Sequence, residues 1–522
     1  MRTLIFLWTW IRRLPASFTF IFILLMALSL VVTSVLVERG LAVWLSNFLG
    51  GWLVWDALWK LIQTQPIVQV GATGVVVLGL IGLSALISYN LAALIYQKAR
   101  TRIPAGEHAP FVPAPHPPPA EGPASLAAKH LKKFNRIGII LAGGGAKGAY
   151  QAGAMKAIYE FLAANDCLNK VRMISGTSIG SWNSMFWLSD LVTSPDSDKP
   201  SAMETWWKSV DVRRIIEFDT YLPLRKNSFL LSTPWQESFE SIFVDQPAVM
   251  KRLARLFPSN PDPPLGADGS IHFYLTRANV GAARLEFATN SPLVRTIISA
   301  ERRTATFRPD RYEVIDLNNI NKCLERTKEA VFASMDLPPL FPYASIRTDM
   351  AEDFEDGGVI DNLPVLFGTQ VESCDLLFIL PLNATFADKV DHRSIVKRLF
   401  RVMDVRQGVL EQNSLKMMYL YNELAEARKE LEKHKVDNPA LSSLMTRKAA
   451  DPVAAFVICP GGELDISTGE FWKTKEAGKA FDLMYAQTKA ELAMNFHELA
   501  QPKKIQMVVI GPNGERSTVE DF

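Results

Sequence analysis

The sequence has few of the residues that metal and nucleic-acid chemistry require. It holds 7 histidines and 4 cysteines in 522 residues. It has no His-Glu-x-x-His, no Cys-x-x-Cys pair and no calcium-loop pattern, so no metal or other cofactor is expected. A formal net charge of +2 argues against a nucleic-acid partner. The irregular spacing of the cysteines predicts reduced core thiols in a cytosolic compartment: Cys167, Cys323, Cys374 and Cys459.

One serine stands at a predicted corner between a strand and a helix. The apolar run 171–174 leads into Gly-Thr-Ser-Ile-Gly at 176–180, and a helix-compatible stretch follows. Such a turn lifts a hydroxyl above the carboxyl end of a sheet and aims it at a helix N-terminus, where amide groups stabilise negative charge. We therefore interpret Ser178 as a candidate nucleophile, with Gly176 and Gly180 forming its elbow.

A glycine-rich turn precedes the elbow. The apolar run 137–142 ends in Gly-Gly-Gly-Ala-Lys-Gly at 143–148, and consecutive glycines expose backbone N–H groups that can hold an oxyanion. The spacing also matches a dinucleotide fingerprint, which would need an acidic residue at the end of the next strand. The hydroxyl elbow stands there instead. No Gly-Lys-Ser/Thr closes the turn as in a Walker loop.

A carboxylate lies before a second glycine bend downstream. Asp356 precedes Gly357-Gly358, and such a bend lets its side chain project from a loop toward the Ser178 hydroxyl. An exposed aspartate, with a pKa of about 3.9, is a feeble base. Asp356 is therefore expected to gain basicity from a desolvated site or to act through a short hydrogen bond.

The glycine-rich turn, the elbow and the Asp-Gly-Gly bend, in this order, resemble the patatin-like phospholipases. The resemblance runs from about residue 136 to about 382, and the segment 333–342 is similar to the family segment that precedes the bend. It implies an α/β fold, a three-layer α/β/α domain with a mainly parallel sheet, that hydrolyses lipid acyl esters with a Ser-Asp dyad. In this chain the implied nucleophile is Ser178 and the implied base is Asp356.

The resemblance also assigns roles within the glycine-rich turn. It implies that the oxyanion hole is formed by Gly143, Gly144 and Gly145. Lys147 stands where many members have arginine, and it is a candidate anion contact. Lysine lacks the bidentate fork of arginine, so the contact it makes would differ.

A Ser-His-Asp triad is the alternative, and it requires a histidine beyond the elbow. None of these histidines lies in a glycine-flanked loop or beside an Asp-Gly-Gly bend, so each is predicted to be a surface or packing residue: His272, His392, His434 and His497. The dyad is the preferred prediction. Two other function classes stay open, namely a catalytically silent membrane protein for lipid binding or scaffolding, and a serine esterase acting on soluble esters.

The first hundred residues predict a membrane anchor. Residues 15–37 and 67–96 carry no charge and are long enough as helices to cross about 30 Å of hydrocarbon. The charges flanking them place both ends in the cytoplasm. Residues 41–61, rich in tryptophan, are predicted as an interfacial helix or a third span. We expect a multi-pass protein of a bacterial inner membrane with a cytoplasmic catalytic domain, lipid as substrate, and homo-oligomers through small residues of the second span.

The remaining boundaries follow from composition. A membrane anchor at 1–100 precedes a proline-rich linker at 101–134, a catalytic domain at 135–385 and a mainly helical C-terminal region at 386–522. The aromatic-rich region from Trp182 to Phe243 is a candidate acyl-chain groove, with five aromatic residues as its candidate lining: Trp187, Trp206, Trp207, Phe229 and Trp235.

Overall fold

The computed structural model describes the domain that carries the predicted motifs. The described residues are 87–92, 126–196, 198–218, 230–257, 271–294, 312–337, 341, 344–347, 352–383, 395–434, 451–461, 464–502 and 505–519. The predicted spans 15–37 and 67–96 and the predicted interfacial segment 41–61 lie outside this set, apart from helical residues 87–92. No helix within the described residues combines the length and apolar character that crossing a membrane requires.

The chain divides into two compact units. The first comprises Met1–Glu107 and Ile216–Ser232, and its described part includes a small antiparallel pair of strands, β3 (Glu217–Phe218) and β4 (Leu230–Leu231). The second comprises His108–Ile215 and Thr233–Phe522. It contains all the motifs predicted to be catalytic.

The second unit is built on one large sheet. In the described residues its strands are β1 (Ile137–Leu141), β2 (Val171–Thr177), β5 (His272–Asn279), β6 (Arg284–Thr289), β7 (Tyr312–Val314), β8 (Ala344–Arg347), β9 (Glu352–Asp356), β10 (Leu376–Leu380), β11 (Ala454–Pro460), β12 (Met507–Ile510) and β13 (Arg516–Val519). The main path of the sheet runs in the order β13-β12-β11-β10-β1-β2-β5-β6-β7, and β9 pairs with both β5 and β8.

The centre of this sheet is parallel, as the sequence predicts. Strands β12, β11, β10, β1, β2 and β5 run in one direction, and the strand residues of β1 are all buried. Burial on both faces explains why these strands are continuous apolar runs rather than alternating ones. The prediction of an α/β fold with a mainly parallel sheet is confirmed.

Helices pack on both faces of the sheet. The α-helices are α1 (Leu126–Leu131), α2 (Gly148–Ala164), α3 (Ile179–Leu188), α4 (Ala202–Ser209), α5 (Thr233–Phe239), α6 (Pro247–Ala254), α7 (Ile320–Met335), α8 (Ile395–Lys433), α9 (Thr474–Met494) and α10 (Phe496–Leu499). Leu415 and Met418 of α8 pack with Ile140 and Ile379 in one buried cluster. On the opposite face, Phe378 of β10 stacks on the ring of Phe496 in α10.

The C-terminal region differs from the prediction of a mainly helical extension. It supplies the helices α8, α9 and α10, but it also supplies β11, β12 and β13, which continue the central sheet beyond β10. The prediction is therefore incomplete. The apolar run that became β11, Ala454–Pro460, is buried along its length, and short buried runs are the hardest for periodicity to assign.

The proline-rich linker also ends earlier than predicted. Residues Leu126–Leu131, inside the predicted linker 101–134, form helix α1 and bury Ala127, Ala128 and Leu131. His130 of this helix lies 2.8 Å, by its Nε2 atom, from the carbonyl oxygen of Ala500. These contacts attach the end of the predicted linker to the domain, because alanine and leucine side chains gain by leaving water.

Candidate active site

The predicted elbow places Ser178 in a strained backbone conformation. Ser178 follows β2 and precedes α3, with φ of 54° and ψ of −125°, a region that costs an L-residue roughly 1–3 kcal/mol. The surroundings impose it. A Cβ added to Gly176 would lie 2.6 Å from the Gly180 backbone, and one added to Gly180 would lie 2.4 Å from the Leu141 carbonyl oxygen. Both elbow positions therefore require glycine.

The hydroxyl of Ser178 faces Asp356. Ser178 caps α3 by position, but its side chain makes no capping hydrogen bond; it donates a hydrogen bond to the Asp356 carboxylate instead. Asp356, the last residue of β9, is 1% exposed. Its Oδ1 also accepts the backbone N–H of Gly358 at 2.8 Å. The two residues that the sequence predicts as nucleophile and base are thus in contact.

Burial makes Asp356 a stronger base than an ordinary aspartate. Desolvation raises the pKa of Asp356 to about 7, against the opposing hydrogen bonds from Ser178 and Gly358. This agrees with the expectation from the sequence that Asp356 gains basicity from a desolvated site. Burial and the nearby charge of Asp356 also raise the pKa of Asp336 well above its usual value.

The glycine-rich turn lies against the nucleophile. A Cβ on Gly143 would lie 2.8 Å from the Ser178 Cβ. Gly145 has φ of +55°, and a Cβ on Gly145 would lie 2.1 Å from the carbonyl oxygen of Thr468. Among the described residues, the amide of Ala146 bonds to Thr468 and that of Lys147 to Gly144. No acceptor is present there for the amides of Gly143, Gly144 and Gly145.

The backbone amide of Ser178 itself is occupied. It donates to Ser334 Oγ at 2.8 Å, and the same oxygen accepts the Ser181 hydroxyl at 2.9 Å. Ser334, in the last turn of α7, is fully buried. The sequence places Ser334 in a family-like segment but predicts no role for it, because a serine within a helix carries no signal of a distant backbone partner.

Lys147 does not face an anion site. Its side chain is 3% exposed, and its ammonium group donates to Asn383 Oδ1 and pairs with Asp404 Oδ1 at 3.0 Å. Asp404 belongs to α8, so the lysine connects the glycine-rich turn to that helix. The predicted anion contact thus corresponds in this structure to an internal ion pair, which the sequence did not indicate because its partners lie more than 230 residues away.

The described histidines lie away from the elbow. His272 pairs in register with Met173, five residues before Ser178, which corresponds to roughly 16 Å along a strand. His434 lies just beyond α8 and is exposed, and His497 lies in α10 beside Glu498. His392 lies outside the described residues. The structure therefore brings an aspartate, and none of these three histidines, to the serine.

The candidate acyl-chain groove is packed as core. Trp182 contacts the rings of Trp206, Trp235 and Phe243 at centroid distances of 4.9, 5.5 and 5.6 Å. The described tryptophans of the predicted groove are all 3% exposed or less: Trp187, Trp206, Trp207 and Trp235. Phe229 lies outside the described residues. Aromatic rings bury a large apolar area when they pack edge to face, which explains why this cluster leaves no groove between these residues.

The remaining contacts of the site come from the C-terminal half. Asn362 donates to the carbonyl oxygen of Gly143 at 3.0 Å and to Glu411 Oε1 at 2.6 Å. Glu411, in α8, is 2% exposed, and burial raises its pKa to about 7 while Asn383 and Lys147 oppose that shift. The sequence does not predict these residues, since no motif of the glycine-rich turn reaches α8.

The part of the chain that forms this site matches a family of known proteins. Residues 139–367 match the family model of the patatin-like phospholipases. The chain contains a patatin-like phospholipase domain. The match includes the glycine-rich turn, the elbow and the Asp-Gly-Gly bend of this patatin-like domain, and it ends before β10, α8 and the C-terminal strands.

Comparisons with solved structures and with curated proteins add little to the family match. Among solved structures, VipD from Legionella pneumophila is similar at 14% sequence identity, with 76% of this chain and 72% of that chain covered and a TM-score of 0.28. No curated protein matches the chain. The assignment of the patatin-like domain therefore depends on the family match.

Proposed function

We propose that this protein is a serine acyl hydrolase that releases fatty acid from phospholipid or lysophospholipid esters. The observation that carries the proposal is the contact between Ser178, on a strained elbow, and a buried Asp356 whose pKa is raised to about 7. A base with a pKa near the working pH removes a proton most effectively. The match of residues 139–367 to patatin-like phospholipases supports a lipid ester as the substrate.

The reaction follows acyl-transfer steps. Ser178 Oγ attacks the ester carbonyl carbon as Asp356 accepts the hydroxyl proton, and a tetrahedral oxyanion forms. The unoccupied amides of Gly143, Gly144 and Gly145 are the proposed donors to that oxyanion. The alcohol leaves with the proton, giving an acyl-Ser178. Water then loses a proton to Asp356 and attacks the acyl carbon, and Ser178 Oγ takes that proton from Asp356 as the bond to the acyl carbon breaks and the fatty acid leaves.

Membrane attachment is a separate part of the proposal. The uncharged segments 15–37 and 67–96 support a helical anchor that keeps the catalytic domain near lipid at the cytoplasmic face of a bacterial inner membrane. A proline-rich stretch before α1 would act as the tether. Separation of cell membranes from the soluble fraction tests this part: carbonate-resistant recovery with membranes supports it, and recovery in the soluble fraction contradicts it.

A fluorophosphonate probe tests the chemistry. The probe bonds to an activated serine, so we expect labelling of the wild-type protein at Ser178 and none in Ser178→Ala. Fatty acid release from phospholipid vesicles, compared with hydrolysis of short-chain soluble esters, tests the substrate class. Preference for vesicles supports a lipid hydrolase, whereas equal or better turnover of soluble esters favours a general esterase. Absence of both labelling and hydrolysis contradicts the proposal.

A further inference from the structure

The peptide group between Gly143 and Gly144 is held from its carbonyl side. Asn362 Nδ2 donates to the Gly143 carbonyl oxygen at 3.0 Å. A trans peptide is planar, so its C=O and N–H point in opposite directions, and a bond that fixes one fixes the other. If this peptide turned over, a carbonyl oxygen would replace the Gly144 N–H and would repel an oxyanion.

Asn362 occupies a position between the two catalytic turns. It is fully buried, and its Oδ1 lies 2.5 Å from the position that a Cβ would take on Gly143 and equally on Gly358. Gly358 belongs to the bend that supplies its N–H to Asp356. One side chain therefore contacts both the glycine-rich turn and the bend of the candidate base.

Glu411 determines which end of the Asn362 amide faces Gly143. The Asn362 Nδ2 group donates to Glu411 Oε1 at 2.6 Å as well as to Gly143. In its ionised form the Glu411 carboxyl group only accepts hydrogen bonds, so it selects the NH₂ end of the amide over the oxygen end, and its charge strengthens the bond. Two bonds from Asn383 hold the carboxylate in turn, from Nδ2 at 2.7 Å and from the backbone N–H at 3.1 Å.

We propose that Glu411 is a positioning residue for acyl transfer: through Asn362 it keeps the Gly143–Gly144 peptide in the orientation that offers an N–H to the oxyanion. The inference rests on the proposed function and deepens it. It gives a part in the reaction to helix α8, which lies beyond the residues 139–367 that match the family.

Two substitutions of Glu411 test this role, with kcat and KM measured on an ester substrate and active sites counted by end-point labelling of Ser178. Glu411→Leu removes the acceptor, and we expect kcat to fall about 100-fold with KM within about 3-fold, because an oxyanion forms only after substrate binds. Glu411→Gln keeps one acceptor oxygen and should lose only about 10-fold. Glu423→Gln, the same change at an exposed position of α8, should leave both constants unchanged.

A double-mutant cycle separates positioning from general loosening of the fold. If Glu411 acts through Asn362, then Glu411→Leu combined with Asn362→Ala should lower kcat no further than Asn362→Ala alone. A double variant whose kcat falls by the product of the two single losses would overturn the proposal. If Glu411→Leu does not fold, the same cycle is run with Glu411→Gln, and the same two outcomes decide.

Failure of this inference is distinguishable from failure of the proposed function. A wild-type protein that hydrolyses esters and labels at Ser178, together with a folded Glu411→Leu whose kcat stays within about 2-fold, overturns the role of Glu411 and leaves the hydrolase intact. A wild-type protein that neither labels nor hydrolyses overturns both.

Discussion

The two ends of the parallel sheet bury carboxyl groups in different ways. At the amino end, Glu372 lies 2.7 Å from His272 Nδ1, accepts the Ser291 hydroxyl at 3.2 Å and the Tyr274 hydroxyl, and lies 3.7 Å from Arg136. At the carboxyl end, the hydrogen bonds to Asp356 come from one backbone amide and from the Ser178 hydroxyl. No cation pairs with Asp356 among the ion pairs of the described residues.

The difference separates stability from reactivity. Glu372 accepts hydrogen bonds from Tyr274 of β5 and from Ser291 just beyond β6, and it lies near Arg136 just before β1, so it joins these elements at the start of the sheet. Asp356 has few donors and is buried, so its charged form is unfavourable and its affinity for a proton is high. The strained φ of Ser178 lies at the same end. Strain and an under-stabilised charge at one end are the marks of a site selected for chemistry.

The largest expected effect comes from removing the proposed base at the carboxyl end. Asp356→Asn keeps the shape of the side chain but cannot accept the serine proton, so we expect hydrolysis to fall about 10³-fold. The circular dichroism spectrum should stay that of the wild type. Substantial hydrolysis by a folded Asp356→Asn would show that another group accepts the proton.

The matching change at the amino end should affect stability instead. Glu372→Ala leaves the buried hydroxyls of Tyr274 and Ser291 without their acceptor, and we expect the free energy of unfolding to fall by about 2–4 kcal/mol, because each unpaired buried donor costs about 1–3 kcal/mol. Hydrolysis per labelled active site should change less than about 2-fold at a temperature where the variant is folded. A loss of turnover as large as that of Asp356→Asn, measured per folded molecule, would remove the distinction between the two ends.

The pH dependence of stability sharpens the comparison. The pKa of Asp356 rises from 3.8 in the unfolded chain to about 7 in the fold. Between these values the folded state holds a proton that the unfolded state has lost, so this group lowers the free energy of unfolding as pH rises through the window. Asp356→Asn lacks the effect. Denaturant unfolding should therefore show Asp356→Asn gaining about 4 kcal/mol on the wild type between pH 4 and pH 8. A constant difference between the two proteins would contradict the raised pKa.

The smallest effect is expected at Ser334. Ser334→Ala removes the acceptor of the Ser178 backbone N–H and of the Ser181 hydroxyl, and an unpaired buried donor costs about 1–3 kcal/mol. We expect reduced stability of that size and a fall in kcat of about 5-fold as the elbow loosens. Ser334→Thr, which keeps the hydroxyl, serves as the comparison. Unchanged kcat and stability in Ser334→Ala would show that the elbow holds its geometry without this residue.

The sequence predicted most of the carboxyl-end site because its parts are local. Gly-x-Ser-x-Gly and Asp-Gly-Gly each combine glycines that a tight turn needs with the residue that the turn presents, so Ser178 and Asp356 could be named without coordinates. The central parallel sheet was predictable for a similar reason, since buried strands such as Ile137–Leu141 are unbroken apolar runs.

The supporting residues could not be predicted because their contacts are distant in the chain. Lys147 pairs with Asp404 across 257 residues, and Asn362 meets Glu411 across 49. Neither pair lies within a turn or on one helix, where spacing would indicate contact. The pairing of β11, β12 and β13 with the central sheet could not be predicted for the same reason, since strand pairing depends on topology rather than on local pattern.

The pH dependence of fluorophosphonate labelling at Ser178 tests the central claim most directly, because it reports activation of the serine without depending on the natural substrate. The labelling rate of the wild type should rise between pH 5 and pH 9 with a midpoint near the Asp356 pKa of about 7, and Asp356→Asn should show a low rate without that midpoint. A wild-type rate that is constant across this range, or a midpoint that persists in Asp356→Asn, would contradict the assignment of Asp356 as the base that activates Ser178.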